Sequence, residues 1–444
     1  MLINHVMDIS TISILLVISM LCLLSIGVPF AFAAGAVATV VALLAFGPGG
    51  LSLLAARTYE LLNGYTLVAV PMFVLMAALL EGSTIAHDLF SAFRVWAGRL
   101  PGGVAVMTML VSVVLASTTG IIGGEIVLLG MLALPQMLRL GYDRKIAIGT
   151  ICAGGSLGTM IPPSLILIFF GLTANISIAH LFLASLMPGL LLAGVYIGYI
   201  MFRCWLNPSL APIAPAEELN MTVRQKFALM KGVALPIAVA AGMLGSIYMG
   251  VASITESAAL GVVGILVATA VRGELTKALV LKSLKQTMLT CGVVTWLVFG
   301  TNSLVGVYNA IGGIQFLQGQ LLSFNLGPFG TLTFMVVIFI ILGAFIDWIG
   351  IMFLTIPIFL PIIKSMGMDP IWFGIVFNVS MQIAYLSPPF APAAFYLKGV
   401  APPEISIEEI FSAMWPFIGL QIVVLALIVG FPEISLWLPR LAYG

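Results

Sequence analysis

The fold class this sequence predicts is an all-α, polytopic membrane protein made of two inverted repeats, each holding a helical hairpin and one span broken at a Pro-Pro pair. Three observations predict it. Of 444 residues, 61% are hydrophobic and 7% charged, with a mean hydropathy of +1.22, whereas a soluble domain carries roughly 25% charged residues. The basic residues are gathered into a few clusters instead of being spread along the chain. Helix-breaking residues recur at a fixed interval in the two halves.

A helix needs about 20 apolar residues to cross the hydrocarbon core. Full spans are therefore expected at 12–31, 36–55, 65–82, 146–170, 181–201, 232–249, 251–271, 287–307, 371–396 and 411–431. Two further apolar stretches, about 102–138 and 328–363, are too long for one span and are interrupted by Gly or Pro. Each reads as a hairpin, either re-entrant or a tight pair of spans. Met1 to Asp8 contains no Lys or Arg, so the first apolar run reads as a retained span and not a signal peptide.

Thirteen of the seventeen basic residues lie at Arg94 and Arg99, at Arg139, Arg144 and Lys145, at Arg203, Arg224, Lys226 and Lys231, and at Arg272, Lys277, Lys282 and Lys285. If 102–138 enters and leaves from one side, all four clusters share the cytoplasmic face, and both termini face outward. The overall balance, seventeen cations against sixteen anions, offers no basic stripe for nucleic acid.

A shift of 226 residues places Leu134-Pro135 on Leu360-Pro361, Gly141 on Gly367, Asp143 on Asp369 and Pro162-Pro163 on Pro388-Pro389. After a three-residue insertion, Ile176-Ser177-Ile178 and Phe182 meet Ile405-Ser406-Ile407 and Phe411. The residues that match across this 226-residue shift are mostly Pro, Gly and Asp, which end or break helices. The repeats are expected at 1–204 and 232–444, joined by a cytoplasmic linker at 205–231. Each half then makes an odd number of crossings, so the second is inverted. Inverted repeats with interrupted helices characterise secondary transporters, whose substrate and ion sites lie near the bilayer midplane.

Proline cannot donate a backbone hydrogen bond and clashes with the preceding turn, so both broken spans must open at their Pro-Pro pairs. Carbonyls freed in this way must face protein or a polar cavity. Cys152 to Thr159 brings small and hydroxyl residues into the first break; Asn378, Ser380, Gln382, Tyr385 and Ser387 lead into the second. Carbonyls with hydroxyls and amides suit a hard cation, and the half-helix after each break offers N–H groups to an anion. The plainer reading is a kinked packing helix, but two breaks at equivalent places favour function. The hairpin tips add Ser117 to Gly120, Gly123-Gly124-Glu125, and Gly343 to Asp347. Acids flanked by apolar runs, such as Glu125 and Asp347, are functional by default, against a structural reading as helix caps. Glu256 reads as interfacial. The cysteines Cys22, Cys152, Cys204 and Cys291 form no CxxC pair and read as packed thiols. His5, His87 and His180 are isolated, and the metal, nucleophile-elbow and phosphate-loop motifs of common enzymes are missing from the sequence.

These elements resemble the large membrane subunit of tripartite ATP-independent periplasmic (TRAP) transporters, the DctM family. The matching stretches are Pro71 to Met76, Leu134-Pro135 to Gly141-Tyr142-Asp143, Ala153 to Gly158, Ile161 to Ser164, Phe345-Ile346-Asp347, Pro357 and Pro361, Gly367 to Pro370, and Phe373-Gly374-Ile375. Together they span nearly the whole chain. The first hairpin departs from the family's Gly-Ser-Ser run with Gly120-Ile121-Ile122, and Ser387 stands where Thr is commoner. The run from Ser387 to Lys398 is similar to the branch labelled mannitol/chloroaromatic, a label that is poor evidence of cargo. The resemblance implies no enzyme but an elevator-type symporter of the bacterial inner membrane. Sodium would be the coupling ion. A small DctQ-like membrane subunit and a DctP-like periplasmic binding protein would be partners, and a small organic solute, carboxylates being the common cargo, the substrate. Sodium is expected at Thr118, Thr119, Gly120 and Ser156 in one half and at Asp347, Asn378 and Ser387 in the other. Substrate is expected at Glu125, Thr159, Pro162, Gln382, Tyr385 and Pro388. The apolar flank of spans 12–55 and 232–271 is expected to receive the small subunit. The competing readings are a stand-alone ion-coupled anion transporter, an intramembrane transferase and a channel. The acids are too dispersed for the transferase, and the spans lack the polar stripe a channel needs.

Overall fold

The computed structural model describes residues 8–98, 100–120, 123–212 and 221–443. Among them the regular structure is entirely helical. The first half runs α1 (Ile9–Ser25), α2 (Phe30–Phe46), α3 (Gly50–Leu62), α4 (Ala69–Gly82), α5 (Ile85–Arg94), α6 (Gly103–Thr119), α7 (Gly124–Arg139), α8 (Arg144–Ser156), α9 (Leu165–Ala174) and α10 (Ile178–Leu206). The second runs α11 (Val223–Tyr248), α12 (Ile254–Val271), α13 (Lys277–Ala310), α14 (Gly313–Ser323), α15 (Gly327–Gly343), α16 (Trp348–Ser365), α17 (Pro370–Leu386), α18 (Pro392–Lys398), α19 (Ile407–Gly430) and α20 (Glu433–Tyr443).

Both expected hairpins are present, α6–α7 and α15–α16, and both broken spans, α8–α9 and α17–α18. The arms of the first hairpin have 17 and 16 residues. At about 1.5 Å per residue they reach roughly 25 Å, short of a hydrocarbon core of about 30 Å, which favours the re-entrant form. Boundaries differ where local chemistry overrides hydropathy. The first span ends at Ser25, six residues early, because Gly27 turns at φ 86° and Pro29 starts α2. α11 starts at Val223, inside the expected linker, because Thr222 and Gln225 form a capping box; residues 213–220 of that linker lie outside the described ones. Three helices are additions: α5, α14 and α20. All three are short, 10 or 11 residues, and α5 and α20 are amphipathic, so a search for apolar runs passes over them.

Two groups of helices emerge from the packing. In the outer group α2 lies along α13 and α12 along α4, and α13 also packs on α4. Many residues there turn outward and are apolar, among them Val40, Leu44, Leu289, Val293 and Trp296, as lipid contact demands. The inner group joins the halves reciprocally. The last long helix of each half packs on the broken span of the other, α19 on α8 and α10 on α17. The segment after each break packs on the other half's hairpin, α9 on α16 and α18 on α7. Phe169 of α9 meets Trp348 and Phe353 at ring-centroid distances of 6.0 and 6.3 Å. Exchange of equivalent partners is what two halves related by a two-fold axis produce.

Glycine sets the closest approach in the outer group. A Cβ on Gly300 of α13 would collide with the Ala31 carbonyl of α2. Gly300→Val should therefore cost roughly 1–3 kcal/mol by overpacking and lower the melting temperature in a detergent thermal scan. An unchanged transition would mean that the two helices do not meet there.

A polar knot ties α5 to the end of α12. Arg272 pairs with Asp88 and, at 2.9 Å, with Glu274, whose carboxylate accepts from the Thr84 hydroxyl and, at 3.0 Å, from its N–H. Partial burial raises the Glu274 pKa, but the Thr84 donors and Arg272 outweigh it and hold the group below the usual carboxylate range.

Candidate functional site

Small residues let the first broken span lie against its hairpin. A Cβ on Gly154 would strike the Ser112 hydroxyl of α6, and one on Gly155 would strike Ile126 of α7. After Ser156 the helix tightens to a 3-10 turn, Leu157–Thr159, and regular structure resumes at Leu165. The Pro162-Pro163 pair lies in the gap, as its chemistry requires. Ser164 closes it: its hydroxyl donates to the Thr159 carbonyl at 2.6 Å and accepts from the Leu167 N–H at 3.4 Å. The Leu165 N–H donates to the Gly120 carbonyl at 3.3 Å. The hairpin tip is thus hydrogen-bonded to the break. Gly120 is left-handed, at φ 62°, with the Pro163 carbonyl where a Cβ would stand, so only glycine satisfies both constraints.

Thr159 is the node of the site. Asn378 of α17 donates to its carbonyl at 3.0 Å and the Gln382 amide donates to its hydroxyl. Asn378 is 0% exposed, Gln382 1% and Thr159 2%, and a buried polar group without a partner is costly. Yet Asn378 Oδ1 and Gln382 Oε1 have none among the described residues. Two acceptor oxygens beside a break that frees carbonyls form a donor set suited to a hard cation. Nearby, the Thr119 hydroxyl at the end of α6 meets the Glu125 carboxyl at the start of α7. Gly158 leaves room for that carboxyl, since a Cβ there would stand 2.7 Å from Glu125 Oε1.

The second hairpin tip is built differently. Asp347 caps α16, accepting from the Ile349 N–H at 3.2 Å. The Ser387 hydroxyl turns back to the Ile383 carbonyl at 2.7 Å. Asp347 and Tyr385 share a cavity of about 20 Å³ with Trp348, Phe390 and Pro392. The Tyr385 hydroxyl is buried without a partner among the described residues.

Of the residues singled out in the sequence, Thr119, Gly120, Glu125, Thr159, Asn378 and Gln382 gather at the first break, around Pro162. Asp347, Tyr385, Ser387 and Pro388 belong to the second. Asn378, grouped beforehand with Asp347 and Ser387, instead reaches the first half through Thr159. Thr118 and Ser156 are buried and turn their hydroxyls to carbonyls of their own helices, Leu115 and Ala153, each at 2.7 Å.

Sequence reasoning missed two cavities. One, of about 460 Å³, lies between hairpin α6–α7 and the outer helices and is lined by Glu81, Gly123, Gly124, Lys282, Gln286 and Tyr396. Gln286 Nε2 donates to Glu81 at 3.1 Å. The other, of about 400 Å³, is lined by Arg57, Asn302, Asn309, Thr173, Phe353 and Pro357. The available signal was Glu81, a lone acid closing an apolar run.

The profile of the family described as "Tripartite ATP-independent periplasmic transporter, DctM component" matches residues 17–434. The chain belongs to the DctM family. It is 27% identical to the C4-dicarboxylate TRAP transporter large permease DctM of Vibrio cholerae, over 97% of this chain and 98% of that one. It is 28% identical to the ectoine/5-hydroxyectoine large permease UehC of Ruegeria pomeroyi, over 85% and 87%. It is 26% identical to the isethionate permease DctMQ of Oleidesulfovibrio alaskensis, over 93% of this chain and 64% of that one. Among solved structures, the YdaH transporter of Alcanivorax borkumensis superposes with a TM-score of 0.62 at 16% identity, over 92% of this chain and 98% of that one. MtrF of Neisseria gonorrhoeae gives 0.60 at 14%, over 88% and 85%. These two share the fold. As a DctM-family member the chain is a transport permease of the bacterial inner membrane and not an enzyme.

Proposed function

We propose that this chain is the large transmembrane subunit of a sodium-coupled TRAP transporter that imports a small organic carboxylate. A periplasmic binding protein delivers the cargo, and a small DctQ-like subunit sits on the apolar flank of α1–α3 and α11–α12. The observation that carries the reading is the Thr159 node. There a hairpin tip, a broken helix and the opposite half converge, and two buried acceptor oxygens lack partners among the described residues. Sodium is assigned to that node and to the Asp347–Ser387 tip.

The two cavities support an elevator. Each lies between an outer helix and a hairpin, one against α7 and one against α16, at opposite ends of α13. Gln286 and Gly306 mark their positions on that helix; twenty residues at about 1.5 Å each put the cavities roughly 30 Å apart, the thickness of the hydrocarbon core. They suit access from the two faces in turn. Lys282 in one and Arg57 in the other suit an anionic cargo. The relatives' printed substrates include a C4-dicarboxylate and isethionate, both anions, and the DctMQ name of one relative fits pairing with a small subunit.

The test is uptake into proteoliposomes under an imposed sodium gradient. Chain, small subunit and a cognate binding protein together should give saturable uptake, and removing the gradient or either partner should abolish most of it. Full-rate uptake by the chain alone would establish the stand-alone anion transporter instead.

A further inference from the structure

We propose that the protein holds one acyl chain of a membrane lipid in a slot between the outer helices and the second hairpin. The slot is a cavity of about 370 Å³, walled by α1, α13 and α14 and by both arms of the hairpin, α15 and α16. Its lining repeats along the helix axes. Phe334, Ile338 and Leu342 stand four residues apart on α15, a row about 12 Å long. Leu354 with Ile358, and Thr355 with Phe359, repeat the spacing on α16. Membrane helices tilt only about 20° from the bilayer normal, so the slot runs in the direction of the lipid tails.

Water does not suit this space. Among the described residues lining it none is charged, and the hydroxyls are engaged. Ser13 donates to the Ile9 carbonyl at 2.8 Å and so accepts from Tyr308 at 2.7 Å. Thr355 donates to the Ile351 carbonyl at 2.7 Å. Gln320 is exposed and calls for no water inside. A buried water needs about two to four polar partners, which these residues do not offer. Left empty, the slot would cost its walls the dispersion contacts of a packed core. The mouth says what enters. Val17 of α1, Phe334 of α15 and Phe324, just after α14, line the slot and are also exposed, with the two Phe rings 6.0 Å apart. The slot is therefore continuous with the apolar surface that lipid covers. A helix with its side chains is about 10 Å across, too wide for a slot of this length and volume; a single tail is not.

The position gives the tail a role. Val305 of α13 and Ile314 of α14 line both this slot and the 400 Å³ cavity of Arg57 and Asn302. A tail in place backs that shared wall and keeps the polar cavity closed to the bilayer. It also lies where α15–α16 must slide on α1 and α13 if the hairpin moves as proposed above, so the bilayer's acyl composition becomes a variable of the transport rate.

The test is photolabelling of the purified full chain in nanodiscs of phosphatidylethanolamine and phosphatidylglycerol, part of the lipid carrying a diazirine on its acyl chain, with labelled peptides mapped by mass spectrometry. It uses no cargo, sodium gradient or partner, so its failure leaves the transport reading untouched. Leu304, Leu321 and Phe359 line the slot and are 3%, 5% and 5% exposed, beyond the reach of lipid that only surrounds the protein. The expected result is label at these three beside label at the exposed Val293. Leu317→Trp, which fills the slot from α14, should lose the label at Leu304 and Phe359 and keep that at Val293. A melting curve checks that this variant folds, and the wild-type map decides alone if it does not. Label confined to exposed residues, or interior label that persists in folded Leu317→Trp, would overturn the proposal. So would loss of the interior label on adding the small subunit, which would make a side chain of that subunit the occupant.

Discussion

If sodium drives transport as proposed, Gln382→Leu is expected to reduce uptake by about 5- to 150-fold while leaving the protein folded. The change removes the donor to the Thr159 hydroxyl and one of the two acceptor oxygens at the node that have no partner among the described residues. The Thr159 hydroxyl keeps its bond to the Ser156 carbonyl at 3.2 Å, so the loss falls on the hydrogen bonding of the node, about 1–3 kcal/mol, and each 1.36 kcal/mol on a barrier is about tenfold in rate. Leucine has similar bulk, so the surrounding helices keep their packing. Initial rates across a sodium titration, beside a melting curve, give the measurement. A variant with wild-type sodium dependence would reduce the node to a packing contact, and the coupling would then lie at the Asp347 tip.

Bridging Leu128 of hairpin α6–α7 to Thr290 of α13 should stop transport almost completely. The two residues line the same cavity from opposite sides, so a cysteine at each, joined by a short thiol crosslinker, ties the inner group to the outer. The native thiols must be replaced first, since Cys291 adjoins Thr290. Uptake should fall in proportion to crosslinking and return on cleaving the linker. Undiminished uptake by fully bridged protein would exclude movement of this hairpin against α13 and with it the elevator.

The architecture was readable from the sequence because it rests on local chemistry. Pro162-Pro163 and Pro388-Pro389 forbid a continuous helix wherever they occur, and the hairpins show as apolar runs of the wrong length. The amphipathic helices were not readable by that criterion: α5 buries Ile85, Ala86, Leu89 and Phe90 but carries too many polar residues to pass as a span. At the site, the chemical types of Thr159, Asn378 and Gln382 drew notice, but their grouping did not follow. Asn378 sits nine residues before Ser387 on one helix, and nothing local says that it turns toward the other half. That pairing is set by the packing of α10 on α17 and of α9 against both α16 and α17. Glu81 was passed over because an acid at the end of a span is ordinarily interfacial; its place beside Gly124 depends on α4 meeting a hairpin tip some 40 residues later.

The reciprocal packing of the two halves bears on how the protein is made. Gln382 reaches Thr159 across 223 residues of chain, and α19, which covers α8, is later still. While the ribosome is extending the second half, the first break is already synthesised without the amides that complete it. Opened backbone cannot rest against lipid, so until α17 arrives the nascent α8–α9 segment must stay in contact with water, the insertion machinery or its own hairpin. Biogenesis of this chain is therefore late-closing, and a truncation before residue 378 should be a substrate for membrane proteolysis and not half a transporter.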